Sequence, residues 1–275
     1  MELLSMPVQI QDVMSYTFDE FNALFEAHGG TDSNYLKHHF QNTFKRVLST
    51  WPYAQDQVVV DVGAHWLHQS LLYALVGFKV EAFNLPTTFK KDRVKSLAAA
   101  HSINLTVAEE LQTGECFYGL PENSVDIVLF TEILEHITFN PLRFWKTVYH
   151  VMKPGGRIVV TTPNYYSLLG RGYDVRRLLS GYGDGLSVNK ILDTHTFGHH
   201  WKEYSMKEVL LYFSLLSPDF KCVKHLYTDD RNPDEVGAGT LKEFLQKHID
   251  VFKPNLHVEI ELVEKNKGIP MVPSW

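Results

Sequence analysis

The fold is decided by residues 57–84, QVVVDVGAHWLHQSLLYALVGFKVEAFN. A short apolar run ends at Gly63, a helix-like stretch closes at Gly77, and a second strand-like run ends at Asn84. A strand, a helix and a second strand in this order form a βαβ unit, whose two strands lie parallel in one sheet. The loop after the first strand is then expected at the carboxyl edge of the sheet, where open α/β folds bind their ligands.

The rest of the chain continues this alternation. Further strands are predicted at 103–107, 124–130, 156–164, 220–228 and 257–265, and helices are predicted at 35–48, 90–100, 140–156, 205–216 and 240–252. The central strands are nearly continuous apolar runs, as in a parallel sheet covered by helices on both faces. We therefore expect a doubly wound α/β fold with a mostly parallel sheet.

The chain divides into three expected regions. Residues 1–50 are predicted to form an N-terminal helical cap, and residues 51–275 the main domain. Inside that domain the alternation breaks after Asn164, because the insertion at 164–203 is rich in Gly, Tyr, Arg and His and has no clear period. A long stretch of this kind in a compact domain is usually a lid or a substrate loop.

Composition narrows the class of partner. The chain has 275 residues, a net charge of -6 and 44% hydrophobic residues, which is typical of a globular protein and disfavours nucleic acid or an anionic membrane as the main partner. The two cysteines form no disulfide framework, and no apolar run is long enough to span a membrane. We expect a cytoplasmic monomer or homodimer that acts on a small molecule.

The order of these motifs resembles that of the class I S-adenosylmethionine-dependent methyltransferases of small-molecule type. The matching segments are the strand and loop at 57–84, ENSVDIVLFTEILEHI at 122–137, NPLRFWKTVYHVMKPGGRIVVTTPN at 140–164 and HHWKEYSMKEVLLYF at 199–213. The resemblance implies a seven-stranded Rossmann-like sheet in the order 3-2-1-4-5-7-6. It also implies methyl transfer from S-adenosyl-L-methionine to a small acceptor, with oxygen ahead of nitrogen or carbon and a sugar, polysaccharide precursor or secondary metabolite as the substrate class.

The same resemblance assigns residues to the cofactor. They follow successive strands and comprise Asp61, Gly63, His65, Asn84, Leu85, Glu115, Cys116, Thr131 and Glu132. Glu115 is expected against the adenine amino group, although a solvated loop charge is an equal alternative. Asp61 is expected to accept hydrogen bonds from loop amides or a ligand ammonium, or else to cap the loop.

Three positions depart from the family pattern. His65 and Leu67 replace the second and third loop glycines, so their side chains are expected in space that relatives leave for the methionine part and for helix packing. Asn84 replaces the acid that accepts hydrogen bonds from both ribose hydroxyls. An amide offers one acceptor and one donor group, so the loss is partial.

Histidines supply the candidate catalytic groups. The sequence has fourteen, and the interpretation assigns His136, His199 and His200 as bases for an acceptor hydroxyl, since imidazole titrates near neutral pH. The acceptor is expected to contact Tyr165, Tyr166, Arg171, His195 and Trp201. These aromatic residues are equally compatible with packing inside a lid, and the basic group around Arg171 with a solvated face.

Two alternatives from other functional classes remain. Because no histidine spacing matches a known metal signature, no metal ligand is assigned, but a metal-assisted activity of the histidines is one alternative. The other is a methyltransferase-fold protein with lost or altered cofactor binding that acts as a binding or assembly partner. The replacements at His65 and Leu67 motivate it.

Overall fold

The structure is a computed structural model that describes residues 15–32, 34–37, 39–40, 43, 57–168, 191–192, 198–229 and 241–273. Its centre is a seven-stranded sheet. The strands are β1 (Val58–Val62), β2 (Lys79–Asn84), β3 (Asn104–Val107), β4 (Val125–Thr131), β5 (Met152–Pro163), β6 (Phe220–Thr228) and β7 (Asn255–Leu262). They lie in the order β3-β2-β1-β4-β5-β7-β6, which confirms the expected topology.

The direction of the strands also agrees with the expectation. The neighbours β3, β2, β1, β4 and β5 pair in parallel, whereas β7 runs antiparallel to both β5 and β6. The strand order reverses at β1, because the chain first moves outward to β2 and β3 and then returns to β4. The carboxyl ends of β1 and β4 therefore flank the crevice where this class of sheet binds ligands.

Helices cover the two faces of the sheet. They are α1 (Phe18–Glu26), α2 (His68–Leu75), α3 (Pro86–Phe89), α4 (Asp92–Ala100), α5 (Leu142–Val151), α6 (Met206–Leu216) and α7 (Leu241–His248). The start of α6 is a capping box, in which Ser205 Oγ accepts from the Glu208 amide and Glu208 accepts from the Ser205 amide. In the described part of the chain, no helix has the length and apolar character needed to cross a bilayer.

Each face of the sheet has its own hydrophobic cluster. Val128 and Phe130 of β4 point into the cluster with α5 and α6, whereas Ile127 and Leu129 point into the cluster with α1, α2 and α4. Successive strand residues face opposite sides, so a strand buried on both faces must be apolar throughout. The doubly wound class follows from this double burial.

The described part of the N-terminal segment packs on the second of these clusters. Phe21 and Phe25 of α1, together with Leu36, are buried against α2 and the sheet. The domain boundary at residue 50 stays a prediction. The same holds for the lid at 164–203, since residues 169–190 and 193–197 lie outside the described residues.

One local prediction is wrong, at the KPGG segment. The helix was expected to continue to a stop at these residues, but α5 ends at Val151 and the segment forms the beginning of β5. The pairing of β4 with β5 shifts register between Val125 and Ile127, and Gly155 takes a φ of 81° opposite this irregularity. The glycines thus let the strand bulge instead of ending a helix.

The packing of α5 against α6 generates a stability prediction. Trp145 is fully buried, lies 5.1 Å edge-on to Phe213, and donates from Nε1 to the Tyr212 hydroxyl at 2.7 Å. Trp145→Ala is expected to lower the free energy of unfolding by about 3–5 kcal/mol, because it removes a large core side chain. Urea unfolding measures the change.

The matched control for this variant is Leu215→Ala on α6. Leu215 is 54% exposed, and its truncation is expected to change the free energy of unfolding by less than about 0.5 kcal/mol. A similar small change for both variants would contradict the tight α5–α6 contact.

Candidate functional site

A cavity of about 790 Å³ opens at the carboxyl ends of the central strands. Its walls come from the segments that directly follow β1, β2, β3 and β4. Representative lining residues are Gly63, His65, Asn84, Leu85, Glu109, Glu110, Thr131, Glu132, His136 and His200. Small-molecule pockets typically enclose about 300–1,000 Å³, so the cavity has the size and the position of a ligand site.

The loop after β1 keeps a glycine-type backbone although only one glycine remains. The φ angles are 75° at Gly63, 45° at His65 and 66° at Leu67, all left-handed. A Cβ at Gly63 would overlap Ile133 Cδ1, so this position requires glycine for space as well as for φ. The amides of Gly63 and Ala64 both donate to the Phe83 carbonyl of β2, at 2.8 and 3.1 Å.

Packing holds the two strained residues of this loop. A left-handed backbone costs about 1–2 kcal/mol for a residue with a Cβ. Leu67 is fully buried in the cluster below α2, and the His65 ring stacks on Tyr35 at 4.6 Å. Leu67 therefore occupies packing space in the core, and its side chain does not line the cavity. His65 does line the cavity.

Asp61 connects the end of β1 to the helix that follows. It is only 2% exposed, accepts a 2.6 Å hydrogen bond from Ser70 Oγ, and lines the cavity. Next to it, Thr131 Oγ1 donates to Gln69 Oε1 at 3.3 Å, which ties the end of β4 to α2. Asp61 thus braces the loop and also faces the site.

Two polar atoms of the cavity wall are buried without a hydrogen bond. Within the described ranges, Gln69 Nε2 and His65 Nδ1 have no hydrogen-bonding partner. Buried polar atoms are normally satisfied, by protein or by a bound molecule. These two atoms could therefore be satisfied by a polar molecule in the cavity.

The segment after β4 forms a second wall. Glu132 has a left-handed φ of 54°, its amide donates to the Thr161 carbonyl at 2.8 Å, and its carboxylate accepts from Thr161 Oγ1 at 2.7 Å. A single 3₁₀ turn, Leu134–His136, follows and carries Glu135 and His136 to the cavity. Backbone held in this way is common where a site must be preorganised.

His136 is oriented by a backbone carbonyl near the end of the insertion. Its Nδ1 lies 2.9 Å from the His199 carbonyl, so Nδ1 carries the hydrogen and donates it, which leaves the Nε2 lone pair free to accept. Burial, and then the neighbouring His200, lower the pKa of His136 to about 4. The ring is neutral at physiological pH and can accept a proton.

The histidines expected on the acceptor side differ in their position relative to the cavity. His200 lines the cavity with its ring edge-on to His136 at 4.8 Å. His199 is only 3% exposed, its ring packs on Trp201 at 5.3 Å, and it does not line the cavity. Its expected catalytic role is therefore corrected to a backbone contact, because its carbonyl orients His136.

The expected aromatic acceptor wall is also corrected. Tyr165, Tyr166 and Trp201 are absent from the described cavity lining, and Tyr166 and Trp201 are 43% and 41% exposed. Pro163 and Asn255 are among the residues that do line the cavity. The remaining two substrate candidates, Arg171 and His195, lie outside the described residues.

The residues expected near the adenine, Glu115 and Cys116, do not line the cavity. Glu115 is exposed on a 3₁₀ turn and Cys116 packs against the core, where burial raises its thiol pKa to about 12; neither lines the cavity. Glu109 and Glu110, directly after β3, line it instead. The end of the predicted strand β3 could have indicated Glu109 and Glu110 from the sequence, since side chains that follow strand ends meet at the site.

Sequence reasoning also missed several lining residues. They are Tyr35, His39, Gln69, Glu135 and Asn255. Gln69 follows the loop directly and could have been included, whereas Tyr35 and His39 come from a helix with no sequence link to the loop. The sequence around Asn255 gives no indication that this residue lines the cavity.

Comparisons with known proteins agree with this geometry. Residues 63–160 match the family model of the methyltransferase domain. This segment is similar to a methyltransferase domain. The resemblance to class I S-adenosylmethionine-dependent methyltransferases is thereby confirmed. No curated protein matches the chain by sequence.

Solved structures share the fold of this chain at low sequence identity. A SAM-dependent methyltransferase from Archaeoglobus fulgidus is 15% identical with a TM-score of 0.53, over 87% of this chain and 98% of its own. Phosphoethanolamine N-methyltransferase 2 of Haemonchus contortus, in complex with S-adenosyl-L-methionine, is 15% identical with a TM-score of 0.53. The match covers 92% of this chain and 60% of that protein's chain. Geranyl diphosphate C-methyltransferase from Streptomyces coelicolor A3(2) is 14% identical with a TM-score of 0.54, and the match covers 82% of this chain and 79% of that protein's chain.

The pH dependence of unfolding tests the environment of His65. Burial, with Lys91 nearby, lowers the pKa of His65 to about 4, while Asp32 acts in the opposite direction. In the unfolded chain imidazole titrates at about 6.5, so acidification toward pH 4 protonates the unfolded state first and lowers stability. His65→Asn tolerates the left-handed backbone without titrating, and is expected to reduce this decline between pH 7 and pH 5.

Urea unfolding at both pH values gives the comparison. The contribution of one such group is at most about 1.4 kcal/mol per pH unit. An equal decline in the wild type and in His65→Asn would contradict a buried, uncharged His65.

Proposed function

We propose that this methyltransferase domain binds S-adenosyl-L-methionine in the cavity and transfers its methyl group to a small-molecule acceptor. One observation carries the proposal: the loop after β1 keeps left-handed backbone at Gly63, His65 and Leu67, beside an open cavity. Strained backbone of this kind persists where a site uses it. The unsatisfied polar atoms at Gln69 and His65 support a polar ligand there.

The cofactor wall would consist of the segments after β1, β2 and β3. Asp61 and residues 63–65 would hold the methionine part, Asn84 would contact the ribose, and Glu109 or Glu110 would replace Glu115 at the adenine. Except for Glu115, these residues all line the cavity. When bound, the cofactor supplies a methyl group that its sulfonium has already activated. Much of the remaining rate enhancement then comes from positioning the acceptor.

The acceptor wall would consist of His136 and His200. The lone pair of His136 Nε2 can take the proton of an acceptor hydroxyl, since Nδ1 is committed to the His199 carbonyl. This geometry favours an oxygen acceptor. The H. contortus and S. coelicolor proteins are named for nitrogen and carbon acceptors, so the fold itself does not choose the atom.

The substrate class and the cellular setting extend the same proposal. A sugar, polysaccharide precursor or secondary metabolite suits a cavity that combines polar and apolar lining residues. The net charge of -6 supports a small neutral or cationic molecule over nucleic acid. We place the reaction in the cytoplasm, with the enzyme as a monomer or homodimer.

The second candidate is a binding or assembly protein with the methyltransferase fold. It is favoured by His65, whose side chain stands at a glycine position of the loop, lines the cavity and stacks on Tyr35. Calorimetric titration separates the two functions. A protein that does not bind S-adenosylmethionine or S-adenosylhomocysteine at millimolar concentration would be a binding partner only.

The first variant for this titration is Gly63→Ala. The added Cβ would overlap Ile133, and an alanine at this position would have to keep a φ of 75°, which residues with a Cβ rarely adopt. The loop is therefore expected to shift, and S-adenosylhomocysteine to bind at least tenfold more weakly. The control is Gly119→Ala, where a Cβ has no atom within 4 Å. Equal affinity in both variants would contradict the assigned loop.

The second variant for the same titration is Asn84→Asp. A carboxylate can accept hydrogen bonds from both ribose hydroxyls, whereas the amide offers one acceptor oxygen. One gained hydrogen bond contributes about 1 kcal/mol, so binding is expected to strengthen about fivefold. A weakened or unchanged affinity would remove Asn84 from the ribose site.

A further inference from the structure

The acceptor wall brings together a carboxylate and two imidazoles. Glu135, His136 and His200 each offer one ligand atom, and these three atoms lie within 4.8 Å of one another. All three residues line the cavity. Two of them come from the turn after β4, and the third from the end of the insertion. The fold, and not the sequence spacing, creates the group.

We propose that Glu135, His136 and His200 bind one divalent transition-metal ion on the acceptor side of the cavity. Two imidazoles and one carboxylate form a ligand set used for zinc and for non-haem iron, with further positions open to water or substrate. Metal–ligand distances of about 2.0–2.2 Å require the three atoms to approach by small rotations of their side chains. The exposed side of His200 leaves room for this movement, since its side chain is 40% exposed.

The hydrogen bonds around His136 match those of a metal-binding histidine. Its Nδ1 donates to the His199 carbonyl at 2.9 Å, which fixes the ring and directs the Nε2 lone pair away from that carbonyl. Metal-ligating imidazoles usually donate their other N–H in this way, to a carbonyl or a carboxylate. His136 thus has both the tautomer and the orientation that a ligand needs.

Glu135 faces this lone pair. Its Oε1 lies 3.8 Å from His136 Nε2, which is too long for a hydrogen bond but suits two ligands of one ion. Its Oε2 accepts from Thr162 Oγ1 at 2.9 Å, and the side chain is 1% exposed. A buried carboxylate oxygen that faces an imidazole nitrogen at this distance is an arrangement that a cation between the two atoms would stabilise.

The catalytic role of the ion rests on the proposed function. With the Nε2 lone pair of His136 bound to the metal, the ion would replace this imidazole as the group that activates the acceptor hydroxyl. A coordinated acceptor hydroxyl loses its proton to solvent more readily, because the metal lowers its pKa. The acceptor oxygen then forms a bond to the methyl carbon, and the carbon–sulfur bond breaks with its electron pair on sulfur. The cofactor leaves as S-adenosylhomocysteine. No oxidant or reductant takes part.

Cobalt titration tests the site without an acceptor molecule. Metal-free full-length protein is titrated with Co²⁺ and followed by visible absorption, and Zn²⁺ is then added to displace it. We expect one Co²⁺ per chain, displaced by Zn²⁺, and at least tenfold weaker binding in His136→Ala and His200→Ala. The matched control is His150→Ala, since His150 is exposed on α5 and does not line the cavity.

The outcomes separate this inference from the proposed function. No Co²⁺ binding by the wild type at millimolar metal, or equal binding by the wild type and both cavity variants, would overturn the metal site. S-adenosylhomocysteine titration of the same samples is expected to give unchanged affinity in His200→Ala, which also shows that this variant is folded. If Co²⁺ binds as expected and S-adenosylhomocysteine does not bind the wild type, the metal site holds and the methyltransferase proposal fails.

Discussion

The architecture of the site depends on the left-handed backbone after β1. Gly63, His65 and Leu67 all have positive φ, which turns the chain from β1 directly into α2. The turn places Asp61 within 2.6 Å of Ser70 Oγ and brings the Gly63 amide to the Phe83 carbonyl of β2. Without it, β1 would not end against an open crevice, and the walls after β2 and β4 would not face one another.

The cost of this backbone is met by packing on both sides of the loop. Leu67 is buried below α2, and His65 stacks on Tyr35 of the N-terminal segment. Side chains have thus replaced glycines without changing the path of the chain. The N-terminal segment consequently contributes to the site as well as to the core, because Tyr35 lines the same cavity as His65.

The sequence predicted the fold much better than the site. Apolar runs and glycine stops identify strands and helices locally, and the family resemblance supplied the strand order, which periodicity cannot. That residues at the carboxyl ends of strands, such as Asp61 and Asn84, line the cavity was also predictable, because strand ends meet at one edge. Contacts formed between distant segments were not. His199 was expected in the cavity, but only the folded chain shows that its carbonyl, and not its ring, meets His136.

The errors have a common physical origin. Glu115 and Trp201 were assigned to the site by their position along the chain, whereas the direction of a side chain depends on local backbone and packing. Leu67 points into the core because of its left-handed φ, and Glu115 lies on a turn that faces solvent. The group of Glu135, His136 and His200 was missed for the converse reason, since its members are brought together by the fold alone.

A crystal structure of the full-length protein with S-adenosylhomocysteine tests the central claim most directly. The account predicts the amino acid part of the ligand against residues 63–65 and its ribose within hydrogen-bonding distance of Asn84, with the backbone of His65 still left-handed. A ligand bound elsewhere, or an empty cavity at saturating ligand with His65 filling the space, would show that the loop no longer serves a cofactor.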